Sequence, residues 1–174
     1  MRNIKDKHVT VVGLARSGKG AANLLSELGA IVTVTDLKTE DQLKDFIPGL
    51  KPSVRLALGS HPEDIFAKAD LLVISPGVPL DTPPIAMAAA RGVPVIGEFE
   101  LACQIATYGS SNPPVSSLFR EGKGGLLAVT GTNGKSTTTA LLDFMMKKGG
   151  FKTILGGNIG NALTEEIYKQ RAKC

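Results

Sequence analysis

Five short runs of β-branched and aliphatic residues recur through the first 97 positions: "HVTVVG", "AIVTVTD", "SVRLALG", "DLLVISPG" and "VPVIG". Each is too short for a helix and is bounded by turn-forming residues, which reads as a buried strand entering a loop. Segments of helical spacing lie between them. Ala21, Leu24, Leu25 and Leu28 share one face of "GKGAANLLSEL", and Gly29 closes that helix. "TEDQLKDFI" is a short helix with Thr39 as N-cap. "PEDIFAKA" supplies a helical turn or two, and "PPIAMAAARG" carries Pro in its first turn and Gly92 at its end. Strands that are apolar throughout, alternating with helices, predict a parallel sheet covered on both faces. The expected fold is therefore α/β, with a Rossmann-like five-stranded parallel sheet domain over residues 1–97.

A helix, "EFELACQIATY", follows the fifth run. Residues 108–124 have the Gly, Ser and Pro content of a loop or linker. The pattern then restarts with strand "LLAVTG", helix "KSTTTALLDFMMKKGG", strand "FKTILGG" and polar helix "TEEIYKQRAKC". Residues 98–174 are expected to begin a P-loop α/β ATPase domain. Two strands and three helices bury little core alone. The chain is therefore expected to be part of a longer polypeptide, with 98–174 less stable than 1–97.

The net charge of +4 comes without a long basic run, and aromatics are only 5% of residues. A nucleic-acid surface with interleaved basic and aromatic residues is not present, whereas small anionic ligands fit the excess. Cys103 and Cys174 form no paired motif, which fits a reducing compartment. No apolar run approaches the ~18 residues of a membrane span, and the N-terminus is charged where a signal peptide needs an apolar stretch. A cytoplasmic, monomeric protein with no membrane partner is expected. His8 and His61 are expected at the surface.

Two glycine loops carry the chemistry. "VTGTNGKST" follows an apolar run and opens a helix, the context a phosphate loop requires. The loop amides, from Gly131 through Thr137, would favour an anion. Lys135 can reach the β- and γ-phosphates of ATP as a point charge, and the Ser136 hydroxyl can ligate Mg²⁺. "GLARSGKG" also joins a strand to a helix, but Gly20 stands where a phosphate loop has Ser or Thr. Read as G-x-G-x-x-G, it has Gly13 and Gly18 in place and Ala15 at the middle position. That suits a nucleotide diphosphate held without chemistry at its phosphates, or a structural glycine turn. Asp36 ends the second run, where an acidic side chain can accept from a ribose or base. Lys19 is expected to be solvated. "SPGVP", Ser75 to Pro79, is a third wall at the same face.

In this order, "VVGLARSG", "VTVTD", "LLVISPGVP", "GEFELAC", "VTGTNGKST" and "GGNIG" resemble the Mur ligases of peptidoglycan synthesis. "TGTNGKST" followed by "GGNIG" marks the superfamily that includes folylpolyglutamate synthetases; "SPGVP" with "GEFEL" favours the D-glutamate-adding branch. The resemblance implies a three-domain enzyme: a UDP-binding domain, a central ATPase and a C-terminal amino-acid-binding domain. ATP would phosphorylate the carboxylate of UDP-N-acetylmuramoyl-L-alanine, and the amine of D-glutamate would attack the acyl phosphate. By position, Asp36 would bind the uracil end. Arg16, Ser17, Gly18 and Gly77 would face the diphosphate, with Ser75 beside them. Gly131, Thr132, Asn133, Gly134, Lys135 and Thr137 would cradle ATP, Lys135 being the catalytic group. Ser136 would hold Mg²⁺, and Asn158 would touch the sugar-peptide part.

Leu37 departs from the family, which often has a polar uracil partner there, so its contact would be through the backbone. The family's acidic metal ligand, histidine ligand, carbamylated lysine and third domain have no counterpart in these residues. The 174 residues are therefore expected to bind the UDP moiety without turnover. Three rivals remain: an NAD-binding Rossmann domain, a P-loop switch, and another ligase of the superfamily, such as the L-alanine-adding one.

Overall fold

The computed structural model describes residues 4–107, 126–157 and 160–171. Five parallel strands form one sheet: β1 (His8–Val12), β2 (Ile31–Asp36), β3 (Arg55–Leu58), β4 (Leu71–Ile74) and β5 (Val95–Gly97), in the order β3-β2-β1-β4-β5. The chain runs outward from β1 to β3, then returns to lay β4 on the other side of β1. Strand order therefore reverses between β1 and β4. Val12 stands opposite Thr35 on one side and Ile74 on the other, so the carboxyl ends of β1, β2 and β4 stop level.

Among the described residues the helices are α1 (Arg16–Glu27), α2 (Glu40–Leu43), α3 (Glu63–Ala67), α4 (Pro83–Ala90), α5 (Glu98–Thr107), α6 (Lys135–Lys148) and α7 (Leu163–Arg171). Successive strand side chains point to opposite faces. Val9, Val11, Val32, Val34 and Val73 meet Ala21, Ala22 and Leu25 of α1 and Leu101 of α5. On the other face Val12, Leu72 and Ile74 meet Phe66 of α3 and Ile85 and Ala88 of α4. Both faces are covered, as the continuous apolar strands required.

The later part of the chain divides by burial. α7 lies on α1 and α5, where Leu24, Ala102, Leu163 and Ile167 make a third cluster. α6 has no buried residue, and its Leu141, Phe144 and Met145 are exposed. The segments expected as strands at 126–131 and 151–157 are not strands; among the described residues neither pairs with the sheet. An apolar run becomes a strand only when a neighbour takes up its amide and carbonyl groups. The expected linker at 108–124 and Asn158 lie outside the described residues.

Candidate nucleotide site

The ligand-binding edge of such a sheet is the crevice beyond the carboxyl ends at the point where strand order reverses. Two loops converge there. Gly13–Ala15 follows β1 and leads into α1, and Ser75–Val78 follows β4. Gly13 has φ +95°, a conformation open to glycine at little cost. A Cβ at Gly18 would stand 1.9 Å from the Gly13 carbonyl oxygen and 2.9 Å from Ser75 Oγ. The first turn of α1 is therefore pressed onto the loop that precedes it. Ser75 is buried and donates from Oγ to the Gly13 carbonyl at 2.9 Å. It holds the loop rather than facing solvent. Gly77 is exposed with φ +93° and nothing near its missing side chain.

α1 starts without a side-chain cap and has no acidic residue in its first turn. Its first intrahelical bond runs from Lys19 N to the Ala15 carbonyl, so the amides of Arg16, Ser17 and Gly18 precede the ladder. Arg16 is exposed and Ser17 half-buried beside them. A helix amino end with an arginine at its first position is suited to an anion.

Asp36 ends β2 at this edge, and its carboxylate is engaged by the backbone. Oδ2 accepts from Leu14 N at 2.7 Å and Oδ1 from Lys38 N at 2.9 Å. A carboxylate has about four acceptor positions, so capacity for a ligand remains. Leu37 follows with its side chain 65% exposed, offering no polar group of its own.

Lys19, expected to be solvated, is half-buried and has a specific partner. Its ammonium donates to the Pro48 carbonyl. Asn23, one turn on, donates to the Gly49 carbonyl at 2.8 Å and accepts from Lys51 N at 2.9 Å. Helix α1 thus pins the loop before β3, a use invisible in the local motif. Gly20 also acquires a packing reason. A Cβ there would meet Glu165 N and Thr164 Oγ1 at 2.8 Å, because α7 crosses α1 at this residue. The signal in the sequence was the small-residue run Gly18, Gly20, Ala21, Ala22.

His61 is half-buried rather than a surface residue. Thr35 Oγ1 donates its one proton to the Ser60 carbonyl at 3.0 Å, and His61 Nδ1 lies 2.9 Å from the same oxygen. Nδ1 must then carry the ring proton. Burial pushes the imidazole below its ordinary value of 6.5, and the Asp36 charge pulls it partly back. In the window below 6.5 the unfolded chain binds more protons than the folded one. The histidine's contribution is whole above that value and is lost as pH falls through the lowered folded one. Thermal melts from about pH 7.5 to 5 should show stability declining, with a flatter profile in His61→Gln. An unchanged slope in the variant would assign the decline to other groups.

The second loop leads into α6. Gly131 has φ +146°, and Gly134 caps the helix at φ +75°. Lys135 turns back on this loop, donating to the Gly131 carbonyl and, at 3.2 Å, to the Thr132 carbonyl. Thr132, Asn133, Ser136 and Thr137 are all exposed around it. Among the described residues no group of three His, Cys, Asp or Glu side chains could hold a metal, and no helix is long and apolar enough to cross a membrane.

Fold and edge together define a Rossmann-like α/β unit with a five-stranded parallel sheet. Residues 7–97 match the family model "Mur ligase MurD-like, N-terminal domain", and the chain belongs to that family. The UDP-N-acetylmuramoylalanine–D-glutamate ligase of Geotalea daltonii is 44% identical over 165 residues, covering 94% of this chain and 33% of that protein. The enzyme of the same name from Koribacter versatilis is 43% identical over 159 residues, covering 91% and 32%. A solved pseudomurein peptide ligase type C from Methanothermus fervidus is 25% identical at a TM-score of 0.48, covering 83% of this chain and 26% of that one. The chain spans about a third of the length of the curated relatives it matches.

Proposed function

We propose that these residues bind the UDP part of UDP-N-acetylmuramoyl-L-alanine for ATP-dependent ligation to D-glutamate in the cytoplasm. The observation that carries this is the convergence of Gly13–Gly18, Asp36 and Ser75–Gly77 at the point where strand order reverses. In this reading the diphosphate lies on the amides of Arg16 to Gly18, with the Arg16 guanidinium balancing its charge. The free acceptor capacity of Asp36 takes the uridine end. Leu37 presents backbone only.

The second loop serves the ATP half of the reaction. Bound Mg-ATP supplies the phosphoryl group and the charge neutralisation that transfer needs. The amides from Gly131 to Thr137 cradle its phosphates, and Lys135 exchanges its own loop carbonyls for them. Ser136 stands at the first turn of α6, where its hydroxyl can join the Mg²⁺ shell. Asn158 belongs to the sugar-peptide end in the same reading. The segment 126–131 leading into this loop is not braced by a sheet partner among the described residues. These residues alone are therefore expected to bind UDP without releasing ADP.

Calorimetry on the 174-residue chain tests the proposal. UDP should bind more tightly than NAD by at least about tenfold. Tighter NAD binding would overturn it. ADP release that depends on both UDP-N-acetylmuramoyl-L-alanine and D-glutamate would overturn the inactivity of the isolated chain.

A further inference from the structure

The loop between β3 and α3 leaves the sheet at its carboxyl edge and clasps the strand end that carries Asp36. β2 and β3 stay paired to their last residues, with Asp36 opposite Leu58. The next residue, Gly59, donates its amide to the Lys38 carbonyl at 2.9 Å. On the other side of Asp36, the fully buried Thr35 hydroxyl donates to the Ser60 carbonyl and accepts from His61 Nδ1 at 2.9 Å. The His61 ring is held edge-on to Phe66 of α3, itself buried, with centroids 5.9 Å apart. The loop therefore grips the chain one residue before Asp36 and two residues after it.

That grip reaches the carboxylate through Lys38. Its amide donates to Asp36 Oδ1, while its carbonyl accepts from Gly59. Asp36 Oδ2 is set from the other side by the Leu14 amide at 2.7 Å. With each oxygen held by one amide, the remaining acceptor positions have fixed directions. An acidic side chain at the end of the second strand of such a sheet is placed to read a nucleoside. A fixed acceptor rejects an analogue that lacks the matching donor, because the acceptor is then left unpaired. A carboxylate free to swing keeps its charge but loses that discrimination.

We propose that His61 is a positioning residue: through Thr35 and the Gly59–Lys38 bond it fixes the Asp36 carboxylate, so that Asp36 selects a nucleoside by one hydrogen-bond donor. The inference rests on the UDP reading and adds what sets its nucleoside selectivity. His61 acts through its Nδ1 proton and needs no contact with the ligand.

The test is calorimetry on the 174-residue chain with UDP, deoxy-UDP and CDP. Deoxy-UDP lacks a ribose hydroxyl, and CDP lacks the ring N–H of uracil. All three carry the same diphosphate, so its contribution cancels in their ratios. Wild-type chain should favour UDP about tenfold or more over at least one analogue, and the analogue identifies the donor. His61→Ala, shown by thermal melts to be folded, should cut that preference to about threefold or less. His61→Asn can place an amide N–H near the Nδ1 position and should restore most of it. A purely structural role would weaken all three nucleotides alike and leave the ratios unchanged. If His61→Ala does not fold, Thr35→Val removes the same link at nearly constant volume and should lower the preference likewise. An unchanged preference in the folded variant, or no recovery in His61→Asn, overturns the proposal. Wild-type chain that binds all three equally overturns it too and leaves the UDP reading standing. Failure of wild-type chain to bind UDP overturns that reading, and the proposal with it.

Discussion

Gly18→Ala should destabilise the chain by about 3 kcal/mol or more and abolish UDP binding. The added carbon would stand 1.9 Å from the Gly13 carbonyl oxygen, 3.0 Å from the Gly13 carbonyl carbon and 2.9 Å from Ser75 Oγ. Two of those atoms are backbone, so no rotamer change relieves the contact. The loop must move, and moving it breaks the Ser75 to Gly13 hydrogen bond and strains the Asp36 contact to Leu14. Gly77→Ala is the control. Its Cβ would meet nothing within 4 Å, but φ is +93°. That change should cost only about 1–2 kcal/mol, from backbone strain. Urea melts and UDP calorimetry on both variants measure the difference. Equal stabilities would mean that α1 is not pressed onto the loop.

The sheet was legible because its signals are local. Each apolar run, such as "TVVG" or "LLVIS", carries its own boundary, and alternation with helices fixes a parallel order. The positions of Gly13, Asp36 and Ser75 at one edge follow from strand ends alone. Their partners do not. Asp36 stands out in the sequence as a candidate ligand group, but its engagement with Leu14 and Lys38 amides depends on how the loop closes. Lys19 binds a carbonyl 29 residues away, and Glu98 meets Thr164 across 66 residues. No window of periodicity spans such distances. The two segments read as strands at 126–131 and 151–157 show the converse limit. "LLAVTG" has strand composition, yet composition does not state whether a neighbouring strand is there to receive it.

Gly20→Ser separates the two meanings of "GLARSGKG". The substitution completes the literal phosphate-loop pattern G-x-x-x-x-G-K-S. If the loop held Mg-ATP and lacked only a hydroxyl, the variant would gain affinity for it. The geometry predicts the opposite outcome. A side chain at Gly20 would press on Glu165 N and Thr164 Oγ1 at 2.8 Å and on Glu165 Cβ at 3.0 Å. Only the hydroxyl could turn aside, so α7 must shift. The cost should be about 1–3 kcal/mol, that of overpacking a tight contact. Hydrogen-exchange protection over 163–171 should fall about tenfold or more, while the sheet strands keep theirs. Mg-ATP affinity should not rise, because a side chain at position 20 is directed against Thr164 and Glu165 of α7. UDP binding should survive, since Arg16 to Gly18 precede the altered residue in the first turn of α1. A variant that kept α7 docked and bound Mg-ATP more tightly would return ATP to the first loop and leave Gly20 without a packing role.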